Sequence, residues 1–257
     1  MLSFQYQLQR LIFMLKSEIY ERVISGEKLW AILIDPDKLQ YNEITDFVLM
    51  TNQSSCDFIL VGGSLINHLK FDTYLKKIYD LSSKKVIIFP GDNQQLSSNA
   101  DGFLLLSLIS GRNPDLIIGQ HVKSSFKLKE TGLEILPTGY MLIETDELTS
   151  AIYMSESLPI PKNKSDIAAA TALAGEQLGL QLIYMDTGSG AQNAVKTEMI
   201  NKVKRTINIP LIVGGGINTQ QQLELSWKSG ADIVVVGTCI ENNFKKMFGF
   251  KKLNLSN

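Results

Sequence analysis

Three apolar runs in the second half of the chain each end in a glycine-rich turn. They end in the residues Tyr184, Met185, Asp186, Thr187, Gly188, Ser189 and Gly190, then Gly214, Gly215 and Gly216, and finally Gly237 and Thr238. Glycine lets backbone N–H groups approach an anion closely, so such turns often bind phosphate. One glycine turn also suits any tight strand-to-helix connection, but three in succession predict a single phosphate site.

An acid follows the first apolar run, which extends from Leu29 to Ile34 and ends in Asp35-Pro36-Asp37-Lys38. A carboxylate that faces a diphosphate is repelled unless a cation lies between them, so Asp35 suggests Mg²⁺. The alternative for Asp35 is a turn-forming role before proline. Asp37 is a second candidate for the metal, but its position fits a cap of the next helix better. Ser64 follows the second run after two glycines, and it either offers a hydroxyl ligand or caps a helix.

The remaining polar candidates carry weaker signals. His68 and His121 share no metal-ligand spacing and fit surface or packing roles. Arg112 and Asn113 follow the fourth apolar run, where they could contact a second anion or form an exposed salt bridge. Among the tyrosines Tyr140, Tyr153 and Tyr184, only Tyr184 directly adjoins a motif.

The elements that must position these residues match an α/β barrel. The 257 residues agree with the about 250 residues typical of a (β/α)₈ barrel and predict one domain over 1–257. A helix is predicted within 1–26 and a loose tail at 248–257. Strands are predicted at 29–34, 57–61, 86–89, 102–106, 133–144, 180–185, 211–213 and 232–236.

Two irregularities are expected in this barrel. Residues 90–101 are too few and too polar for a full barrel helix, so the third helix is predicted to be irregular or missing. The fifth strand contains Pro137 and Gly139 and is expected to bend or pause there.

The composition narrows the class of partner. Hydrophobic residues make up 44% and charged residues 20%, with a net charge of −1. This balance argues against a nucleic-acid partner, and no window approaches the about 20 apolar residues of a membrane-spanning helix. Cys56 and Cys239 lie far apart and are expected to be reduced thiols, which predicts a cytoplasmic protein without a secretion leader.

Five motifs in this order resemble the geranylgeranylglyceryl phosphate synthase family, which includes the bacterial heptaprenylglyceryl phosphate synthases. The likeness extends from Leu29 to Thr238. Within the family, the chain resembles the larger, bacteroidete-and-archaeal type most. The motifs are Ile34-Asp35-Pro36-Asp37-Lys38, Val61-Gly62-Gly63-Ser64, Tyr184 to Gly190, Val213-Gly214-Gly215-Gly216-Ile217 and Val236-Gly237-Thr238. The resemblance implies a modified (β/α)₈ barrel that lacks a regular third helix.

The resemblance also implies a reaction. A prenyl group passes from a polyprenyl diphosphate, geranylgeranyl diphosphate above all, to the 3-hydroxyl of sn-glycerol 1-phosphate, with Mg²⁺ and release of diphosphate. Asp35 and Ser64 match the magnesium positions of the family. Asp186 stands where many members have the glutamate that is thought to accept the proton. The segments that match the glycerol-phosphate site are Tyr184 to Gly190, Gly215 with Gly216, and Gly237 with Thr238.

Two alternatives stay open from the residues alone. A sugar-phosphate isomerase or epimerase would share the glycine loops but needs an acid and base pair and no Mg²⁺. A sensor of glycerol phosphate would bind it without turnover. For the prenyl group we expect an apolar groove walled by Pro90–Asp101 and Leu106–Asn113, and we expect a homo-oligomer.

Overall fold

The computed structural model describes residues 14–66, 71–146 and 148–252, and its centre is a closed barrel of eight parallel strands. Each strand pairs with the next, and β8 closes on β1 with Leu29 opposite Ile233 and Ile32 opposite Val236. The strands are β1 (Leu29–Ile34), β2 (Phe58–Val61), β3 (Lys85–Ile88), β4 (Gly102–Leu108), β5 (Glu134–Leu142), β6 (Leu182–Asp186), β7 (Leu211–Gly214) and β8 (Ile233–Val236). The predicted barrel is therefore confirmed.

Helices surround the barrel along the described chain. They are α1 (Leu15–Ile24), α2 (Ile44–Gln53), α3 (Phe71–Leu81), α4 (Gln120–Thr131), α5 (Ser150–Ser155), α6 (Ser165–Gln177), α7 (Thr197–Lys204), α8 (Gln220–Lys228) and α9 (Thr238–Glu241). A π-helical turn, Asp115–Gly119, leads into α4, and a 3₁₀ helix, Phe244–Gly249, follows α9. No helix lies between β3 and β4, where every residue is described, so the missing third helix is confirmed.

One end of the barrel is closed by α1. Leu15 and Ile19 of this helix are buried with the inward-facing side chains of the strands. The carboxylate of Glu134 accepts the backbone N–H groups of Leu15 and Lys16 at the start of α1. The predicted leading helix is thus present over Leu15–Ile24, while residues 1–13 lie outside the described chain. Among the described residues α1 therefore covers the end at which the strands begin, and the site is sought at the opposite end, where the strands end.

The predicted break in the fifth strand is absent. The strand runs without interruption over Glu134–Leu142 and pairs with β4 from Gly102 opposite Glu134 to Leu108 opposite Tyr140. Proline costs a parallel strand only one donor, and the carbonyl of Pro137 still accepts the N–H of Gln181 at 2.8 Å. That expectation was wrong because the ladder on both sides supports the strand.

The predicted loose tail is also anchored as far as it is described. The ring of Phe250 lies 5.6 Å from that of Trp30, between centroids, and Phe250 is buried. The ammonium of Lys252 lies 2.7 Å from a carboxylate oxygen of Glu27 and also pairs with Asp57. Residues 253–257 lie outside the described chain.

Candidate active site

The acid after β1 is held by backbone groups at the open end of the barrel. Asp35 accepts the N–H of Asp37 on Oδ1 at 3.0 Å, which is the turn considered as its alternative role. Its other oxygen, Oδ2, faces Gly63, where an added Cβ would lie only 3.0 Å away. Burial raises the pKa of this carboxyl above its usual range. The turn leaves one carboxylate oxygen beside the loop that carries Ser64.

Asp37 does not cap the next helix. That helix, α2, begins at Ile44 with Glu43 at its N-cap position and no side-chain cap. The capping prediction for Asp37 was wrong because a separate turn intervenes between β1 and α2.

An ion pair between Lys38 and Glu241 joins the Asp35 turn to the other loops. Lys38 donates to Glu241 Oε2 and to Ser189 Oγ, both at 2.9 Å. Glu241 in turn accepts the backbone N–H of Asp35 on Oε1 at 3.0 Å. Lys38 belongs to a predicted motif but had no predicted role, and Glu241 was not predicted. The available signal was an acid one helical turn after Gly237-Thr238.

The three glycine-rich strand ends meet, as predicted. The N–H of Gly190 donates to Thr238 Oγ1 at 3.2 Å, and Ser189 Oγ lies 3.3 Å from the same oxygen. Gly215 has φ of +79°, and a Cβ there would lie 2.3 Å from Thr187 Oγ1 and 2.7 Å from Asp186 Oδ1. Only glycine fits this position, since it meets both the backbone and the space requirement.

Asp186 is buried at the end of β6 with both carboxylate oxygens engaged. Oδ2 accepts the hydroxyl of Tyr140 at 2.6 Å, and Oδ1 accepts the N–H of Gly188 at 2.7 Å. Burial raises the pKa of this carboxyl, although both hydrogen bonds favour its charged form. A carboxylate with a raised pKa is a stronger proton acceptor, so the environment suits a general base.

The neighbours of Asp186 on the strand point in opposite directions. Tyr184 faces the barrel interior, where its ring lies 5.6 Å from Tyr140 and 5.3 Å from Phe89, between centroids. Its hydroxyl packs on Gly214, where an added Cβ would lie 2.4 Å away. The side chain of Met185 is buried in the outer core between strands and helices, so only its backbone belongs to the open end.

Two buried hydroxyl groups beside the glycine loop lack a partner among the described residues. They belong to Thr187 and Thr149, and an added Cβ at Gly188 would lie 2.4 Å from Thr149 Oγ1. Buried polar groups are normally hydrogen-bonded, so each unpaired hydroxyl calls for an explanation. A bound polar ligand would provide the missing partners.

An apolar groove of about 280 Å³ leads away from the open end. Two of its lining residues lie close to the acids: Ser64 follows Gly63, which packs on Asp35, and the hydroxyl of Tyr140 donates to Asp186. The groove is lined by Ser64, Leu65, Phe89, Pro90, Gly91, Asp92, Asn93, Phe103, Leu105, Leu106, Leu108, Leu116, Gln120, His121, Ser124, Tyr140, Leu142, Ala151, Met154 and Ser155. The predicted walls supply Pro90 to Asn93, Leu106 and Leu108, whereas the walls from α4 and α5 were not foreseen.

The remaining candidates lie away from the acids. His121 lines the groove, its Nε2 lies 2.9 Å from Ser107 Oγ, and burial lowers its pKa. Arg112 donates to the carbonyl of Gly111 at 2.7 Å, and Asn113 accepts the N–H of Asp115 at 3.0 Å. His68 lies outside the described residues.

The donor set at Asp35 suits a cation shared with a substrate. Within residues 14–66, 71–146 and 148–252 no three His, Cys, Asp or Glu side chains are grouped to hold a metal. Mg²⁺ commonly takes one or two carboxylates and completes its shell with water and phosphate oxygens. Oδ2 of Asp35, beside the Gly63-Ser64 segment, could supply one such carboxylate ligand.

Comparisons with known proteins agree with this geometry. A family model described as the PcrB family matches residues 22–253. A geranylgeranylglyceryl phosphate synthase of Spirosoma linguale is 47% identical over 220 residues, 86% of this chain and 88% of that protein. One from Thermococcus kodakarensis is 41% identical over 224 residues, 87% of this chain and 88% of that protein.

A solved structure extends the likeness to three dimensions. It is the crystal structure of (S)-3-O-geranylgeranylglyceryl phosphate synthase from Thermoplasma acidophilum in complex with sn-glycerol-1-phosphate. It matches with a TM-score of 0.86 at 28% identity and covers 93% of this chain and 97% of that chain. Separately, none of the helices in the described part of the chain has the length and hydrophobicity needed to cross a membrane.

Proposed function

The chain belongs to the PcrB family, and we propose that it is a prenyltransferase of the geranylgeranylglyceryl phosphate synthase type. Its donor is a polyprenyl diphosphate, geranylgeranyl diphosphate above all, and its acceptor is sn-glycerol 1-phosphate. The acceptor 3-oxygen forms a bond to C1 of the prenyl group. The bond from C1 to diphosphate breaks, and the hydroxyl proton passes to the enzyme.

The groove is the observation that carries this proposal. One of its lining residues, Tyr140, hydrogen-bonds Asp186, and another, Ser64, follows the glycine that packs on Asp35. An apolar tail in this groove therefore places its diphosphate end between the two acids. The reaction of a sugar-phosphate isomerase does not require an apolar groove at this position.

The proposed acceptor site is the side of the open end that the glycine-rich loops form. Backbone N–H groups of the three glycine-rich loops and the unpaired hydroxyls of Thr149 and Thr187 offer donors to a phosphate and a small polyol. Asp186 lies directly beneath this loop, since its Oδ1 accepts the N–H of Gly188. The acceptor hydroxyl and the base are thereby brought to the same strand end.

Asp186 acts as the general base in this scheme. The hydroxyl of Tyr140 and the N–H of Gly188 fix the direction of its carboxylate, and burial gives it a raised pKa. In this scheme the apolar groove binds the prenyl chain. Asp35 and Ser64 are the residues that would hold Mg²⁺, which when bound supplies neutralisation of the leaving diphosphate.

We also propose a homo-oligomer in the cytoplasm. Exposed apolar side chains are concentrated on and beside α4 and α5, and Phe126 and Leu158 are 82% and 89% exposed. Burying such a surface against a second copy removes it from water. Both cysteines are free thiols, which fits a reducing compartment.

One assay tests the proposal. The purified protein is incubated with sn-glycerol 1-phosphate and prenyl diphosphates of several lengths, with and without a chelator, and ether product and diphosphate are measured. We expect both products to form together and to disappear with the chelator. Isomerisation of a sugar phosphate without diphosphate release, or binding without turnover, would contradict the proposal.

A further inference from the structure

Lys38 occupies a position between the two halves of the open end. Its ammonium lies 2.9 Å from Ser189 Oγ in the glycine loop after β6 and 2.9 Å from Glu241 Oε2 after β8. The side chain is 41% exposed, whereas that of Glu241 is 4% exposed. The cation is therefore accessible to a ligand while its carboxylate partner is buried.

Glu241 fixes where this ammonium lies. Its Oε1 accepts the backbone N–H of Asp35 at 3.0 Å, so the carboxylate cannot rotate freely and Oε2 points to Lys38. An ammonium group has three donors, and the bonds to Glu241 and Ser189 use two of them. Exchange of the Ser189 hydroxyl for a charged oxygen would gain a stronger bond at the same place.

The negative charges near Lys38 favour a cation at this position. Glu241 pairs with Lys38, and the charges of Lys38, Glu241 and Asp37 all act on the nearby carboxylate of Asp35, so three carboxylates and one lysine share this lip. An anionic phosphate that enters beside them meets net repulsion unless Lys38 remains charged and close. The loop glycines supply only partial charges from N–H groups, so they do not replace a full positive charge.

We propose that Lys38 is a further substrate-binding residue, whose ammonium donates to the phosphate of the acceptor, and that Glu241 is the residue that positions it. This inference rests on the proposed function. The acceptor is favoured over the prenyl diphosphate because Lys38 contacts the glycine loop, whereas it is not among the residues that line the apolar groove.

The test compares four variants with the wild type. Lys38→Met removes the charge, Lys38→Arg keeps it, and Ser189→Ala removes only the hydroxyl that Lys38 contacts. Lys76→Met is the matched control, because Lys76 is an exposed lysine on α3 that pairs with Asp80 at 2.9 Å. Calorimetry gives the Kd for sn-glycerol 1-phosphate and for inorganic phosphate at two salt concentrations, and kinetics give kcat and both KM values.

We expect Lys38→Met to raise the Kd for glycerol phosphate by about 10–100-fold, the range for a hydrogen bond to a charged group. Its binding should also depend less on salt, while the KM for prenyl diphosphate changes by less than about threefold. Lys38→Arg should recover most of the affinity, Ser189→Ala should lose less than Lys38→Met, and Lys76→Met should bind as the wild type does.

Three results would overturn the assignment. They are an unchanged Kd in Lys38→Met, an equal loss in Ser189→Ala, or a loss confined to the KM for prenyl diphosphate. Because Lys38→Met leaves a buried carboxylate without its cation, the double variant Lys38→Met with Glu241→Gln repeats the measurement if the single variant melts early. A wild type that neither binds glycerol phosphate nor turns over would instead refute the proposed function itself.

Discussion

Replacement of Asp186 by asparagine removes the charge of the proposed base and leaves its surroundings almost intact. The amide oxygen of asparagine can still accept the N–H of Gly188, and its NH₂ group can donate to the hydroxyl oxygen of Tyr140, which reverses its role. Replacement by alanine differs, because it leaves two donors unpaired in a buried site. The pair of variants therefore separates loss of charge from loss of structure.

The sizes of the two effects follow from these contacts. If Asp186 accepts the attacking proton, Asp186→Asn should lower kcat by about 10²–10⁴ while glycerol phosphate still binds. The alanine variant should lower kcat equally and lose about 1–3 kcal/mol of unfolding free energy for each unpaired donor. In a chain of this size each kcal/mol corresponds to about 2–4 °C in Tm.

The assay measures three properties of both variants: steady-state kinetics, calorimetric binding of glycerol phosphate and thermal melting. Burial raises the pKa of Asp186, so kcat/KM of the wild type should fall on the acid side at a higher pH than for an ordinary carboxylate. Tyr140→Phe removes a hydrogen bond that favours the charged form of Asp186, so the acid-side fall in kcat/KM should move to still higher pH. A near-normal kcat in Asp186→Asn would refute the role of Asp186 as the general base.

If Asp186 only holds a glycerol hydroxyl, the pattern differs. Asparagine can keep such a hydrogen bond, so the loss should appear chiefly in KM, and alanine should be distinctly worse than asparagine. The ratio of the two variants in kcat and in KM thus distinguishes the roles.

Three other outcomes are expected. Asp35→Asn should fold normally but need far more Mg²⁺ for turnover, and an unchanged magnesium titration would remove Asp35 from the metal site. The enzyme should prefer sn-glycerol 1-phosphate to the 3-phosphate, because the loops fix the phosphate and only one enantiomer then presents its hydroxyl to Asp186; equal kcat/KM values would contradict this. The pKa of Glu27 is lowered to about 2, chiefly by its hydrogen bond from Arg22. This carboxylate stabilises the fold at neutral pH and loses that contribution between about pH 4.5 and 2, so Glu27→Gln should show a shallower acid fall in Tm than the wild type.

Most of the barrel could be predicted from the sequence because its signals are local. Strands buried on both faces appear as short apolar runs, and all eight are found near their predicted places. The missing third helix could likewise be predicted, since residues 90–101 lack the apolar positions of a helix. The prediction for the fifth strand was wrong because the breaking tendency of Pro137 is local, whereas the ladders that keep the strand continuous come from β4 and β6.

The glycine-rich loops and the two acids at the open end of the barrel could also be predicted from the sequence. At position 215 the backbone has a positive φ and there is no room for a Cβ, so only glycine fits. A glycine at this position therefore indicates a tight turn from the sequence alone. Asp35 and Asp186 directly follow or end apolar strands, and the ends of parallel strands meet at one edge of a barrel.

By itself the sequence determined the strands, the glycine loops and the acids at their ends, because each depends on the residue and its near neighbours. Only the tertiary structure decided which distant groups meet. Closure of β8 on β1 brings Lys38 to Glu241, and pairing of β5 with β6 brings the hydroxyl of Tyr140 to Asp186. The tertiary structure likewise adds α4 and α5 to the walls of the groove, because the sequence pattern predicted walls only within 90–101 and 106–113.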